Sequence, residues 1–227
     1  MKHRYPYASR NRKELKKLRR DQDYMIWQRP DLDLQRIVAG LQKPFVEIGG
    51  PTEDGFYFLD GLDLNTEPII TNITDNPLPY AKNAKQLAAK VKEILDARAM
   101  PYEDGSIGIF LMSGMSITSD WYVELPEDEY AKVGSRVDKE FDIAKLEMDQ
   151  VALGTLAPDK VKYAQRIPMY REVYRSLCDG GLFFSDGGVE ELCILQRLGF
   201  TLLAYTQEQI RAEQGWTGIF YEFVVRK

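Results

Sequence analysis

The segment Phe45-Val46-Glu47-Ile48-Gly49-Gly50-Pro51-Thr52 most constrains what this chain can become. Phe45, Val46 and Ile48 are strand formers, and Gly49-Gly50-Pro51 ends them abruptly. The pattern predicts a short buried strand that stops on glycines. A glycine at such a stop has no Cβ, so backbone can approach a ligand closely. In a parallel α/β sheet, ligands sit at the carboxyl edge of the first strand.

The chain downstream reads as the rest of that sheet. Before the strand, residues 31–41 predict a helix, capped by Asp31 or Asp33, with Leu34, Ile37, Val38 and Leu41 on one face. Residues 68–73 predict a second strand, closed by Asp75-Asn76-Pro77. A helical pattern over 80–90 leads to a short third strand, 91–95, ending at Asp96-Ala97. Residues 107–112 are nearly all apolar and predict a fourth strand buried on both faces.

Residues 116–160 are acidic in places and weakly periodic, an insertion long enough to hold extra helix or a lid. A helix then carries Tyr163, Ile167, Tyr170, Tyr174 and Leu177, with Pro168 near its start or kinking it, and Asp179-Gly180-Gly181 as its stop. A fifth strand at 182–185, a helix through Val189, Leu192, Leu195 and Leu198, and strands at 200–205 and 219–225 complete the chain. No strong helix joins the last two strands, which predicts an antiparallel edge pair. The fold class is therefore α/β: a Rossmann-like, seven-stranded, mostly parallel sheet with helices on both faces and an antiparallel last strand. Residues 1–41 form a basic arm and helix, and residues 42–227 form the domain.

Charge and residue usage narrow the chemistry. The net charge of -5 hides an asymmetry. Residues 1–20 hold nine Lys/Arg against Glu14 alone, leaving 21 Lys/Arg against 34 Asp/Glu elsewhere. The arm is read as docking on the acidic body, with a nucleic-acid contact as the less favoured alternative. The one histidine, His3, argues against a histidine metal site or triad, and no metal site is predicted. Cys178 and Cys193 lack metal or redox spacing and read as small core residues. No apolar run reaches the roughly 18 residues of a membrane span, and no apolar signal region follows the basic start. A reduced, cytoplasmic setting is the expectation.

Four stretches, in order, resemble the class I S-adenosylmethionine-dependent methyltransferases. Val46-Glu47-Ile48-Gly49-Gly50 is similar to their glycine motif. Asp96-Ala97 with Met100-Pro101-Tyr102-Glu103-Asp104-Gly105-Ser106 is similar to their D-A-x-x-L-P-F-x-D-x-S link. Tyr170 to Leu177 with Gly180-Gly181-Leu182 is similar to E-x-x-R-V-L-x-P-G-G, and Leu198-Gly199-Phe200 to the L-G-F entry of strand six. The resemblance runs from about residue 45 to the C-terminus, with 116–160 unmatched.

The resemblance implies S-adenosylmethionine as cofactor and methyl transfer to a small-molecule acceptor. It also implies roles. Asp96 and the amide of Ala97 would meet the adenine amine and a ring nitrogen. Met100 and Tyr102 would wall the base. Gly49, Gly50 and Pro51 form the loop facing the methionine end, and Glu47 would accept from its ammonium. Ser113 stands where the family contacts the methionine portion. At the ribose, where the family has an acid, this chain has Asn72; Asp75 is a substitute and Asp63 an alternative. Pro51 and Glu53 replace glycines usual in the family, and Pro51 has no N–H to offer.

Ser113-Gly114-Met115-Ser116 replaces the Asn/Asp-Pro-Pro-aromatic motif of exocyclic-amine nucleic-acid methyltransferases, and no Pro-Cys pair serves attack on a pyrimidine. A base, if one acts, is sought among Asp120, Tyr122 and the rest of the insertion. Two other readings stand beside this one: a non-catalytic module that binds an adenosyl ligand or partner, and a nicotinamide-dependent oxidoreductase. The latter is weakest, since Gly49-Gly50-Pro51 is not G-x-G-x-x-G.

Overall fold

A computed structural model describes residues 3–4, 24–51, 56–74, 84–112, 160–187, 189–211 and 217–227. Its centre is β3 (Phe45–Glu47), buried throughout. On one side β3 pairs in parallel with β5 (Ile69–Asn72), and β5 with β6 (Glu93–Ile94). On the other side it pairs in parallel with β7 (Ile107–Met112), and β7 with β8 (Leu177–Gly187). Two long antiparallel strands follow, β9 (Thr201–Arg211) and β10 (Thr217–Arg226). With β2 (Tyr24–Gln28) the sheet runs β2-β9-β10-β8-β7-β3-β5-β6. This is the expected Rossmann-like α/β sheet, parallel throughout from β6 to β8, with an antiparallel last strand.

Alternating side chains feed two cores. On one face Val46, Phe110, Phe183 and Phe223 pack under α3 (Lys160–Ser176) and α4 (Val189–Arg197), meeting Tyr170, Val173 and Leu195. On the other face Phe45, Ile109, Leu111, Phe184 and Val224 meet Val38 of α1 (Leu34–Gly40) with Phe56 and Leu59. All six residues of β7 are buried, as a central strand covered on both faces requires. Asp33 caps α1, its side chain accepting from the Arg36 N–H at 2.9 Å. A short helix, α2 (Ala84–Ala88), precedes β6.

The structure corrects the expected boundaries in four places. First, Tyr24–Gln28, inside the stretch assigned to the arm and helix, is an eighth strand. It pairs with β9 and stacks Trp27 on Tyr205 at 5.5 Å, covering what would be an open edge. Second, β9 and β10 pair antiparallel as expected but are not an edge pair: β10 lies between β9 and β8, and β2 closes the outer side of β9. Third, Asp179-Gly180-Gly181 does not lie outside the strand. The pairing steps from Ile107↔Leu177 to Ile109↔Leu182, so residues 178–181 form a bulge in β8, with Gly180 at φ +76°. Fourth, the third strand shrinks to two residues.

Near the N-terminus β1 (His3–Arg4) pairs antiparallel with β4 (Asp63–Leu64), so the start of the basic arm is fastened to the body by backbone. Cys178 is half-buried and free. Among the described residues no helix is long and apolar enough to cross a membrane.

The bulge makes one glycine indispensable. A Cβ on Gly181 would lie 2.8 Å from the Cys178 carbonyl oxygen and 3.1 Å from that of Gly108. Backbone on both sides cannot yield as a side chain would. Gly181→Ala should therefore lower stability by about 1–3 kcal/mol, as overpacking does. A urea melt with an unchanged midpoint would contradict the crowding.

Candidate functional site

The strand order reverses at β3: the chain goes first to β5 on one side and then returns to β7 on the other, all three strands running parallel. That reversal opens a crevice at the carboxyl edge. Three sequence-predicted segments converge there: the glycine loop after β3, Asn72 ending β5, and the Asp96-Ala97 turn after β6.

Hydrogen bonds join them into one rim. The Asn72 side-chain amide donates to the Gly50 carbonyl at 2.7 Å. The Asn72 carbonyl accepts from the Leu95 N–H at 2.9 Å. Beneath them Thr71 Oγ1 donates to the Glu47 carbonyl at 2.8 Å, and the Ile48 N–H donates to Leu111 in β7 at 2.8 Å. Asn72 is thus the bridge between the loop and the third strand.

The glycines serve two needs. Gly49 sits at φ +72°, where a side chain would be strained. Gly50 makes room, but for the protein's own Glu47: a Cβ there would lie 2.5 Å from Glu47 Oε1. The expectation was that this glycine clears space for a ligand. The structure shows a fully buried Glu47 carboxylate packed over it. Pro51 is buried as well.

At the other end of the rim, Asp96 is gripped by Arg98. The Arg98 backbone N–H and Nε both reach Oδ1 at 2.9 Å; Nε and Nη2 reach Oδ2 at 3.0 and 2.6 Å. Partial burial raises the Asp96 pKa, but the Arg98 hydrogen bonds and charge outweigh it and leave the carboxyl below its ordinary value. Ala97 and Met100 are buried in the core. Tyr102 packs against that core and donates to Glu93 at 2.7 Å; burial, then this bond, pushes its phenol well above the usual range.

Two residues that lie within the E-x-x-R match, and to which the sequence alone gives no role, hold this turn in place. The Glu172 carboxylate accepts from the Met100 N–H at 2.9 Å. Arg175, one helical turn on, donates to the carbonyls of Met100 and Tyr102 at 3.1 and 2.8 Å and to the carboxylates of Glu172 and Asp104 at 2.8 and 2.6 Å. The signal was present: Glu172 and Arg175 lie at the i,i+3 spacing of facing helical neighbours. Their target, a loop some seventy residues earlier, was not readable from that spacing. A second group is Glu222, buried in β10, whose carboxylate accepts from the Tyr57 N–H at 2.9 Å. A charge within Phe220-Tyr221-Glu222-Phe223-Val224 was its signal.

Several expected residues lie outside the described residues: Asp75, Ser113, Asp120, Tyr122 and the 116–160 insertion apart from Lys160. Asp63, the alternative for the ribose, lies in β4. Its backbone N–H and carbonyl are bonded to the Gln35 side chain, at 2.9 and 3.1 Å. Among the described residues no group of three His, Cys, Asp or Glu is placed to hold a metal ion.

The latch sets a pH dependence. The Arg175 hydrogen bond lowers the Glu172 pKa below its ordinary 4.5, against an opposing burial effect. A carboxyl lowered on folding adds stability above its unfolded pKa and loses it as pH falls through the folded one. Wild type should therefore lose part of its stability below about pH 4.5 that Glu172→Gln never has. Parallel acid melts of the two proteins would contradict the latch.

No protein-family model matches this chain, and no curated protein matches it in sequence. Solved structures do resemble it. One is an S-adenosylmethionine-dependent methyltransferase from Methanosarcina mazei, at 12% identity, covering 86% of this chain and 99% of that one, with a TM-score of 0.46. Another is a TehB-like S-adenosylmethionine-dependent methyltransferase from Corynebacterium glutamicum, at 12% identity, 95% of each chain and 0.40. A third is a possible histamine N-methyltransferase from Thermotoga maritima, at 12% identity, 85% of this chain, 87% of that one and 0.39.

Proposed function

We propose that this chain is an S-adenosylmethionine-dependent methyltransferase acting on a small-molecule acceptor. One observation carries the reading. The glycine loop, Asn72 and the Asp96-Ala97 turn meet on the edges of three adjacent parallel strands, tied through Asn72 to Gly50 and Leu95. That is the order in which an extended nucleoside with an amino-acid tail would cross the rim.

The residues present fit such a ligand as follows. Glu47, with Gly49, Gly50 and Pro51, lies where the ammonium end would be held; a buried carboxylate is the natural partner of an ammonium. Asn72 meets the ribose, with Asp75 beside it in sequence. The Ala97 turn meets the base, and Ser113 follows β7 at the methionine portion. The bound sulfonium supplies an already reactive methyl group. The chain's contribution is to hold donor and acceptor in line and keep water out. No acid–base residue is required for that step.

A second reading keeps a specific observation in its favour. Glu47 packed over Gly50 and Arg98 clasping Asp96 also suit a non-catalytic module that retained the fold. Calorimetry tests the adenosyl ligand on which the transferase reading depends. S-adenosylmethionine and S-adenosylhomocysteine should bind and NAD should not. A folded protein that binds neither adenosyl ligand removes the transferase reading. Gly50→Ala drives a methyl against Glu47 and should weaken S-adenosylhomocysteine by about tenfold or more, the size of a lost charged hydrogen bond. Unchanged affinity would place the tail elsewhere.

For the basic arm we propose docking on the acidic body rather than nucleic-acid binding. Its start is already paired with Asp63–Leu64, and the rest of the chain carries the complementary charge. RNA titrated at low salt should show no binding that disappears on deleting residues 1–20. A steep salt-dependent affinity lost with those residues would reverse this assignment.

A further inference from the structure

We infer that Arg98 sets the selectivity of the base end, by filling the carboxylate that would otherwise read an exocyclic amine. The inference rests on the nucleoside reading above.

A carboxylate offers about four acceptor positions. Arg98 takes those of Asp96 with its own backbone N–H, Nε and Nη2, at 2.6–3.0 Å. The contact is bidentate and charge-assisted, the strong kind. The two side chains are 27% and 36% exposed, so the pair is only partly in water. The turn around it is pinned. The Leu95 N–H is held by Asn72, the Ala99 N–H by the Asp96 carbonyl at 3.0 Å, and the Met100 N–H by Glu172. Ala97 and Met100 are rooted in the core. The turn backbone is therefore fixed, and the adjustable part is the Arg98 side chain.

An amine arriving at Asp96 must displace a guanidinium to form its bond. The exchange trades a charge-assisted pair for a single hydrogen bond, so the amine gains little. A base with only hydrogen at the same position asks nothing of Asp96. The wild-type site should thus treat the two alike, although it holds an aspartate at the position implied for adenine.

The probes are S-adenosylhomocysteine and its purine-riboside counterpart, which carries hydrogen in place of the amine and keeps the neighbouring ring nitrogen an acceptor. Calorimetry on the full-length chain should give wild-type affinities within about threefold of each other. Arg98→Ala should prefer the amine by about tenfold, as a charged hydrogen bond restored to the ligand would give. Asp96→Ala added to Arg98→Ala should erase that preference. A wild-type preference for the amine of tenfold or more overturns the inference, whether or not the variants fold. A folded Arg98→Ala that still binds both alike overturns it too. If no protein binds either nucleoside, the proposed function fails first and this inference falls with it. Binding without the expected selectivity sinks the inference alone.

Discussion

Burial of β3 and β7 on both faces is the constraint from which the architecture follows. Their backbone amides and carbonyls have no water to turn to, so they must pair with each other. Parallel pairing of β3 with β5 and β7 meets that demand and aims the three carboxyl ends at one edge. The loops gather there because the sheet's hydrogen bonding leaves them nowhere else to emerge. Phenylalanines on alternate faces, Phe110 and Phe183 against one helical layer and Phe45 and Phe184 against the other, seal the arrangement.

Charge then determines the shape of the rim rather than its stability. Partly exposed ion pairs contribute about 0–1 kcal/mol each. Arg175 therefore adds little to the folding free energy compared with a buried phenylalanine. Its effect is geometric: one planar guanidinium satisfies two carbonyls and two carboxylates, so residues 100–104 keep one conformation against α3. Asp96 and Arg98 do the same within a single turn. Glu47 is a different case. A fully buried carboxylate is costly unless held, and its place over Gly50 couples the end of β3 to the shape of the loop after it.

Much of the fold was legible because its signals are local. β7 matches its apolar run residue for residue, and α4 and the helix cap at Asp33 follow from periodicity and capping chemistry. Tyr24–Gln28 escaped notice because a five-residue strand gains its stability from β9, far along the chain. The bulge at 178–181 escaped for a similar reason: Asp-Gly-Gly reads as a helix stop, and only pairing with β7 shows the strand beginning earlier. In the site, Gly49, Gly50, Asn72 and Asp96 were named from the family resemblance, and the structure brings their segments onto one rim. The partner of Asp96 was not named, since Arg98 is an ordinary surface residue type until a neighbour is fixed, and Glu172 and Arg175 stand in a motif whose target loop its spacing does not reveal.

By itself the sequence determined most of the alternation of strands and helices, the stop of β3 on glycines, the span of β7, and the split between a basic start and an acidic body. These depend on periodicity, on glycine and proline chemistry and on charge, all readable within a few residues. Tertiary structure alone decided that β10 inserts between β8 and β9, that Asn72 bridges two loops, that Glu47 occupies the space Gly50 leaves, and that Arg98 claims Asp96. Each is a choice among partners distant in sequence or among competing side-chain rotamers. Such choices are settled only when the packed sheet fixes which groups can reach one another.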